Sequence, residues 1–173
     1  MLARNYWRVV TVDRSDLLDR FLALLRERGV RFCVIGGQGV NAYAEPVVSL
    51  DLDIVIAISD IERVETALRQ HFAVEHYPHS INVSQPDSDL RVQIQTDPRY
   101  GPFVDRAEQR DVLGIVLPVA HIEDVLQGKI WAVSDPGRRP SKRQKDLADI
   151  ARLVETRPDL RALVPADILQ RLF

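Results

Sequence analysis

The chain has 173 residues, 46% of them apolar and 28% charged, with a net charge of −2. This composition is typical of a globular protein, and it excludes the overall basic field that marks many nucleic-acid-binding proteins. The single cysteine, Cys33, excludes an internal disulfide framework. No segment reaches the roughly 20 consecutive apolar residues of a membrane helix, and the N-terminus lacks a signal peptide. We therefore expect one cytoplasmic domain over 1–173, with no membrane partner.

The first predicted elements are a helix, a strand and a second, shorter helix. In "DRSDLLDRFLALLRERGV", leucines at helical spacing follow a capping residue, Asp13 or Ser15, and Gly29 ends the run. "RFCVI" (31–35) is rich in strand-forming residues. After it, Gly36-Gly37 predicts a turn, and "QGVNAYAE" predicts a short helix that ends before a proline.

The next strand, within "VVSLDLDIVIAI" (47–58), carries two acidic residues. Alternation over 50–58 predicts an apolar face and places Asp51 and Asp53 together on the other face. The two carboxylates then lie roughly 6.6 Å apart, at about 3.3 Å per residue. Buried like charges cost several kcal/mol unless cations compensate them. Either this is an edge strand with solvated aspartates, or the pair holds a divalent cation such as Mg²⁺. The apolar face is expected to comprise Leu50, Leu52, Ile54, Ile56 and Ile58.

Further elements predict a mixed sheet flanked by helices. Ser59 or Asp60 caps a helix that runs to about Phe72. Four short strands follow between 73 and 119, in "AVEHY", "SINVS", "LRVQIQ" and "GIVLPV". Helical periods then return in "HIEDVLQGKIWAVS", "SKRQKDLADIARLVE" and "PADILQRLF". We therefore predict an α+β fold with a sheet core over 31–119, which contains the metal site, and C-terminal helices over 120–173.

Three further features could bind phosphate, and each also has a purely structural interpretation. Gly36-Gly37 stands between a strand and a helix, where backbone N–H groups can approach a phosphate, although an ordinary tight turn has the same sequence. Lys129 lies within the apolar stripe of its helix, so it either extends from the stripe's edge or contacts something negative. The basic segment "RRPSKRQK" (138–145) is either a solvated charge run or a site for the anionic part of a nucleotide or RNA.

Taken in order, these parts resemble a known family. "IGGQGVNAYAEPVVSLDLDIVI" resembles the signature of the DNA polymerase β-like nucleotidyltransferase superfamily. "VLPVAHIEDVLQGKIWAVSDPGRRPSKRQKDLADI" is similar to the tail of the superfamily's small bacterial AbiEii-like branch. The two blocks span much of 31–154 in the expected order. Together they are more specific than Gly-Gly or Asp-x-Asp alone.

The resemblance implies a nucleotidyltransferase fold and a role for each motif. Asp51 and Asp53 would ligate Mg²⁺ or Mn²⁺, which bridges the phosphates of a nucleoside triphosphate (NTP). Lys129 would meet phosphate charge and, with Asp146 and the two metal ligands, form the catalytic set. An acceptor hydroxyl on protein or RNA would attack the α-phosphoryl group and release pyrophosphate. A toxin–antitoxin system with an operon-encoded protein partner is also implied. The residues implied to bind the nucleotide are Gly36, Gly37, Gln38, Ser49, Lys129 and Lys145.

One position departs from the superfamily pattern. Members commonly carry a third carboxylate on a later strand, and the matching position here is Gln93. An amide is a neutral ligand and cannot act as a general base. The candidate third acid is then Asp97, just past the strand, or Asp146 or Asp149, on the helix of the "KDLADI" motif. If none of them reaches the site, the chain is a catalytically silent binding module that acts through a protein partner.

Overall fold

One mixed sheet organises the part of the chain that the computed structural model describes, which is residue 7 and residues 16–173. Within these residues the strand order is β3-β4-β5-β2-β1-β7-β6. The β2–β5 and β1–β7 pairs are parallel and the other pairs are antiparallel. The strands are β1 Phe32–Ile35, β2 Asp51–Ile56, β3 Ala73–Tyr77, β4 Ser80–Ser84, β5 Arg91–Gln95, β6 Glu108–Val112 and β7 Ile115–Val119.

Helices connect these strands and form the C-terminal third. They are α1 Leu17–Glu27, α2 Gly36–Asn41, α3 Ile61–Arg69, α4 Ile122–Ser134, α5 Pro140–Thr156 and α6 Ala166–Leu172. Shorter 3-10 segments occupy Ile58–Asp60, Pro98–Arg106 and Pro158–Leu163. The α+β class and the mixed sheet with a helical C-terminal third are confirmed. The predicted cap at Asp13 or Ser15 lies outside the described residues.

Two apolar clusters cover the two faces of the sheet. On one face, α1 and α3 pack through residues such as Phe21 and Leu68 against Ile54 and Val92. On the other face, α4, α5 and α6 pack against Cys33, Ile35 and Val55. β2 is therefore buried on both sides along most of its length, and only its first residues reach an opening.

Strand β2 corrects two expectations from the sequence. It lies between β1 and β5, so the possibility of an edge strand with solvated aspartates is wrong. It is also shorter than the predicted strand over 50–58 and covers Asp51–Ile56. Leu50 and Ile58 fall outside it and are 39% and 64% exposed, whereas the inner residues Leu52, Ile54 and Ile56 are buried as expected.

The sequence missed two elements between β5 and β7. Pro98–Arg106 forms a 3-10 segment and Glu108–Val112 forms the edge strand β6. Two prolines hide the first from a helical pattern, and the charged sequence "EQRDV" hides the second from a strand pattern. No helix in the described part of the chain is both long and apolar enough to cross a membrane.

Candidate functional site

A cavity opens where the start of β2 meets α4 and α5. Its volume is about 160 Å³. Both predicted metal ligands, Asp51 and Asp53, line it, together with Lys129 from α4. Its other lining residues include Ile35, Gly36, Gln93, Gln95, Tyr100, Asp124, Gly128, Arg138, Lys142 and Asp146.

Asp53 lies in this cavity as a partly buried carboxylate. Within residues 16–173 no hydrogen bond or ion pair reaches its side chain. Desolvation by burial raises the pKa of Asp53 from 3.8 to about 6, and the charge of Asp51 adds to the rise although Lys129 opposes it. When Asp53 is ionised, its carboxylate faces the cavity without a hydrogen-bond or ion-pair partner among the described residues. A cation bound in the cavity would stabilise this charge.

Asp51 differs from Asp53 because two cations already contact it. Arg91 Nε donates to Asp51 Oδ1 at 3.0 Å, and Arg91 Nη2 lies 2.9 Å from the same oxygen. Lys142 Nζ lies 3.7 Å from the other oxygen, Oδ2. Arg91 is the direct neighbour of Asp51 on the parallel strand β5. Local sequence patterns could not predict this contact, because the pairing of β2 with β5 joins residues 40 positions apart.

Gly36 lies against Asp53 in a way that only glycine allows. Its φ is +64°, and a Cβ built there would lie 2.2 Å from Asp53 Oδ2. Helix α2 begins at this residue, so the predicted Gly36-Gly37 turn is replaced by the helix start itself. The backbone at the start of α2 is therefore held next to the carboxylate, with no side chain between them.

The segment between α2 and β2 is fixed by amide side chains. Gln38 Nε2 donates to the carbonyl of Ser49 at 3.2 Å, and Asn41 Nδ2 donates to Gln38 Oε1 at 2.9 Å. Asn41 also exchanges two hydrogen bonds with the backbone of Val47, at 2.8 and 2.9 Å. Gln38 is fully buried, so its side chain holds this loop and is not available to contact a nucleotide. Ser49 Oγ accepts from the Asp51 N–H at 3.3 Å at the entry to β2.

Lys129 is buried between two carboxylates of α5. Its Nζ lies 2.9 Å from Asp146 Oδ1 and 2.8 Å from Asp149 Oδ2. Burial alone would lower the pKa of Lys129, but the two aspartates outweigh that effect and raise it. The sequence indicated phosphate as the charge that accounts for a lysine in an apolar stripe. In the structure Asp146 and Asp149 compensate the charge of Lys129, which also lines the cavity.

Arginines complete this buried cluster and link it to the loop before β2. Arg138 donates to Asp146 Oδ2 at 2.8 Å, and Arg152 Nη1 donates to Asp149 Oδ1 at 2.8 Å. Arg152 Nη2 also donates to Asn41 Oδ1 at 2.9 Å and to the Glu45 carbonyl. Sequence reasoning missed Arg152, although its position three residues after Asp149 was a signal for an ion pair within the helix.

The candidate third acids are not placed as metal ligands. Asp146 and Asp149 are 1% and 3% exposed, and each forms ion pairs with Lys129 and with an arginine. Gln93 is paired in register with Asp53 on the parallel strand and lines the cavity, so the position expected for a third carboxylate does face the site. Of the implied nucleotide-binding residues, Gly36 and Lys129 line the cavity, whereas Lys145 is exposed on α5.

The residues present fit a divalent cation held by two carboxylates. No group of three or more acidic, histidine or cysteine side chains is close enough to chelate a metal ion within the described residues. Asp51 and Asp53 would supply oxygen ligands from one strand face, and both carboxylates line the cavity. Mg²⁺ typically takes one or two protein carboxylates and completes its coordination with water and substrate phosphates.

The chain is similar to known proteins in sequence and in fold. A family model described as "Nucleotidyl transferase AbiEii toxin, Type IV TA system" matches residues 31–173. No curated protein is significantly similar in sequence.

Solved structures share the fold at low sequence identity. ANT(2″)-Ia in complex with adenylyl-2″-tobramycin is 15% identical, with a TM-score of 0.61 over 91% of this chain and 98% of that one. The lincomycin-bound lincosamide adenylyltransferase LnuA is 14% identical, with a TM-score of 0.55 over 80% and 97%. A nucleotidyltransferase-like antigen from Paracoccidioides brasiliensis is 15% identical, with a TM-score of 0.51 over 86% and 92%.

Proposed function

This chain belongs to the AbiEii nucleotidyl transferase toxin family, and we propose that it transfers a nucleoside monophosphate from an NTP to an acceptor hydroxyl. The acceptor is a protein side chain or an RNA end, and the setting is a toxin–antitoxin system with an operon-encoded partner. One observation carries the proposal. The unpaired carboxylate of Asp53 and that of Asp51 share a cavity with Lys129, Arg138 and Lys142.

Asp51 and Asp53 would hold Mg²⁺ or Mn²⁺ through their carboxylate oxygens. When bound, the metal ion neutralises phosphate charge and polarises the α-phosphoryl group. Lys142 and Arg138 lie on the wall formed by α5 and its preceding loop, with side chains 39% and 36% exposed, so both can reach a ligand. These cations would bind the triphosphate. Lys129 adds positive charge to the floor of the cavity while remaining bound to its aspartates.

The reaction conserves atoms and charge without a third carboxylate. The acceptor oxygen forms a bond to the α-phosphorus as the bond to the bridging oxygen breaks, and pyrophosphate leaves. Gln93 cannot take the acceptor's proton because an amide is not a base, so the proton passes to solvent. The side chain of Gln93 instead offers a hydrogen bond beside Asp53. Because Gly36 has no side chain, the start of α2 lies directly against the Asp53 carboxylate.

Two neighbours in fold support transfer to a hydroxyl-bearing acceptor. ANT(2″)-Ia was captured with adenylyl-2″-tobramycin and LnuA is a lincosamide adenylyltransferase, both on this fold. The basic run 138–145 favours an anionic macromolecule over an antibiotic as the acceptor here.

A second candidate function rests on Gln93. With an amide at this position, the chain is alternatively a silent nucleotidyltransferase-fold module that binds a partner without turnover. Incorporation of label from an NTP distinguishes the two, because a silent module transfers none.

Calorimetry tests whether Asp51 and Asp53 are needed for binding of a nucleoside triphosphate with its metal ion. Each of the four NTPs, as the α,β-methylene analogue that cannot be transferred, is titrated with Mg²⁺ into wild type and the Asp51→Asn/Asp53→Asn variant. We expect at least one analogue to bind, and the double variant to lower its affinity at least tenfold, about 1.4 kcal/mol. Asp105→Asn, at an exposed ion pair with Arg31, is the matched control. Equal binding by the wild type and the double variant would refute the assignment.

A further inference from the structure

Asp51 and Asp53 stand side by side on β2 but differ in their contacts. Both oxygens of Asp51 face cations, with Arg91 at 2.9 Å from Oδ1 and Lys142 at 3.7 Å from Oδ2. Asp53 has no ion pair among the residues that the structure describes. One of the two expected metal ligands is thus already neutralised by the protein's own side chains, and the other is not.

Both cations that contact Asp51 are able to leave it. The side chain of Arg91 is 62% exposed and that of Lys142 is 39% exposed. The backbone pairing of β5 with β2 places Arg91 beside Asp51. Lys142 projects from the first turn of α5 into the same cavity. Exposed ion pairs of this kind are weak, so a competing charge can redistribute them.

A divalent cation and these two side chains compete for the same oxygens. A metal ion that binds alone must displace Arg91 or Lys142 from Asp51 and then remain near their positive charges. A triphosphate supplies new anionic partners for both side chains. Once they pair with phosphate, Asp51 is released to the metal ion.

We propose that Arg91 and Lys142 act as a cation lock on Asp51, which keeps the metal site closed until a triphosphate binds. The proposal rests on the proposed function, because it takes Asp51 as a metal ligand. The lock makes metal and triphosphate binding mutually dependent, since linkage requires that each ligand strengthen the other by the same factor. Divalent cation alone then binds weakly, and the charged metal site assembles only around its substrate.

Metal binding in the absence of nucleotide gives the direct test. Mn²⁺ binding is measured from the electron paramagnetic resonance signal of the unbound ion, for wild type and Arg91→Gln. Arg91→Gln should bind Mn²⁺ about fivefold more tightly, which corresponds to about 1 kcal/mol, the upper value for an exposed ion pair. Arg91→Lys keeps the charge and should restore the weak binding of wild type. Arg63→Gln, which removes an exposed arginine paired with Asp60 at 2.9 Å, should leave Mn²⁺ affinity unchanged.

The coupling itself is measured with the α,β-methylene NTP analogues. Their affinity is determined without metal and with saturating Mn²⁺, and the ratio of the two affinities is the coupling factor. This ratio should be smaller in Arg91→Gln than in wild type, because in the variant only Lys142 has to move away from Asp51 when the triphosphate binds.

The outcomes separate this proposal from the one on which it depends. If wild type and Arg91→Gln bind Mn²⁺ equally, or if the variant binds more weakly, the lock is refuted while the metal site stands. If neither protein binds Mn²⁺ with or without an analogue, the metal assignment of the proposed function is refuted, and the lock with it. Melting temperatures in EDTA confirm that each variant is folded, and substitution of exposed side chains usually changes stability by less than about 0.5 kcal/mol.

Discussion

Replacing Asp53 by asparagine should stabilise the metal-free protein. Asp53 is a partly buried carboxylate whose pKa is raised from 3.8 to about 6, chiefly by desolvation. A raised pKa means that the folded state disfavours the ionised form relative to the unfolded chain. Each pKa unit corresponds to about 1.4 kcal/mol, so ionised Asp53 costs up to about 3 kcal/mol of folding free energy.

The sign of this effect fixes its pH dependence. Below the unfolded pKa the carboxyl group is protonated in both states, and Asp53 costs nothing. Between pH 4 and pH 6 the unfolded chain ionises first, so the stability of the wild type falls as the pH rises. Above the folded pKa of about 6 both states are ionised and the cost stays constant. The advantage of Asp53→Asn should therefore be largest at pH 8 and mostly lost at pH 4.

Thermal unfolding in EDTA measures this advantage. At about 2–4 °C per kcal/mol for a chain of this size, Asp53→Asn should raise the melting temperature by up to about 12 °C at pH 8. Added Mg²⁺ should reduce the difference, because only the wild type retains both carboxylates and gains stability from the bound ion. Asp105→Asn is the exposed control and should show no such pattern. A gain that is the same at pH 4 and pH 8, or a loss at pH 8, would refute the reasoning.

Three further substitutions test the neighbours of Asp53. Lys129→Met should lower stability by about 3 kcal/mol in denaturant unfolding, because it removes a cation that pairs with two buried aspartates. Unchanged stability would show that the arginines bound to these aspartates compensate their charge without Lys129. Gln93→Asp should lower the melting temperature in EDTA and recover it as Mg²⁺ is added; parallel curves with wild type would place Gln93 outside the site. Gly36→Ala should lower the free energy of unfolding by at least about 2 kcal/mol and abolish NTP binding in calorimetry. The reason is that the added Cβ would lie 2.2 Å from Asp53 Oδ2. Stability and binding equal to those of the wild type would contradict this close packing.

Local patterns were sufficient to predict most of the elements. Alternating residues identified β2, and helical spacing identified α4 and α5, because each pattern reports which side chains face the core. The limits of β2 were less accurate, since Leu50 and Ile58 continue the alternation beyond the residues that the sheet pairs. Burial needs a partner element, and an alternating sequence does not show where that partner ends.

The site was harder to predict, because its charges are matched through long-range pairing. The partners of Asp51 come from β5 and α5, and Lys129 meets the aspartates of another helix. Local spacing shows that a charge is unusual but does not show which distant charge compensates it. For this reason the sequence indicated that Lys129 needs a negative partner but did not identify Asp146 and Asp149 as that partner. Arg91 gave no signal, because an exposed arginine on a strand is ordinary.

The most direct test of nucleotidyl transfer follows the label of the NTP. Each NTP, labelled in turn at the α- and γ-phosphorus, is incubated with the protein, Mg²⁺, and total RNA or total protein from cells. We expect label from the α position to enter one of these acceptors and label from the γ position to leave as pyrophosphate, with Asp51→Asn/Asp53→Asn abolishing both. No α-label transferred by the wild type from any NTP, or transfer of γ-label to the acceptor, would contradict the account.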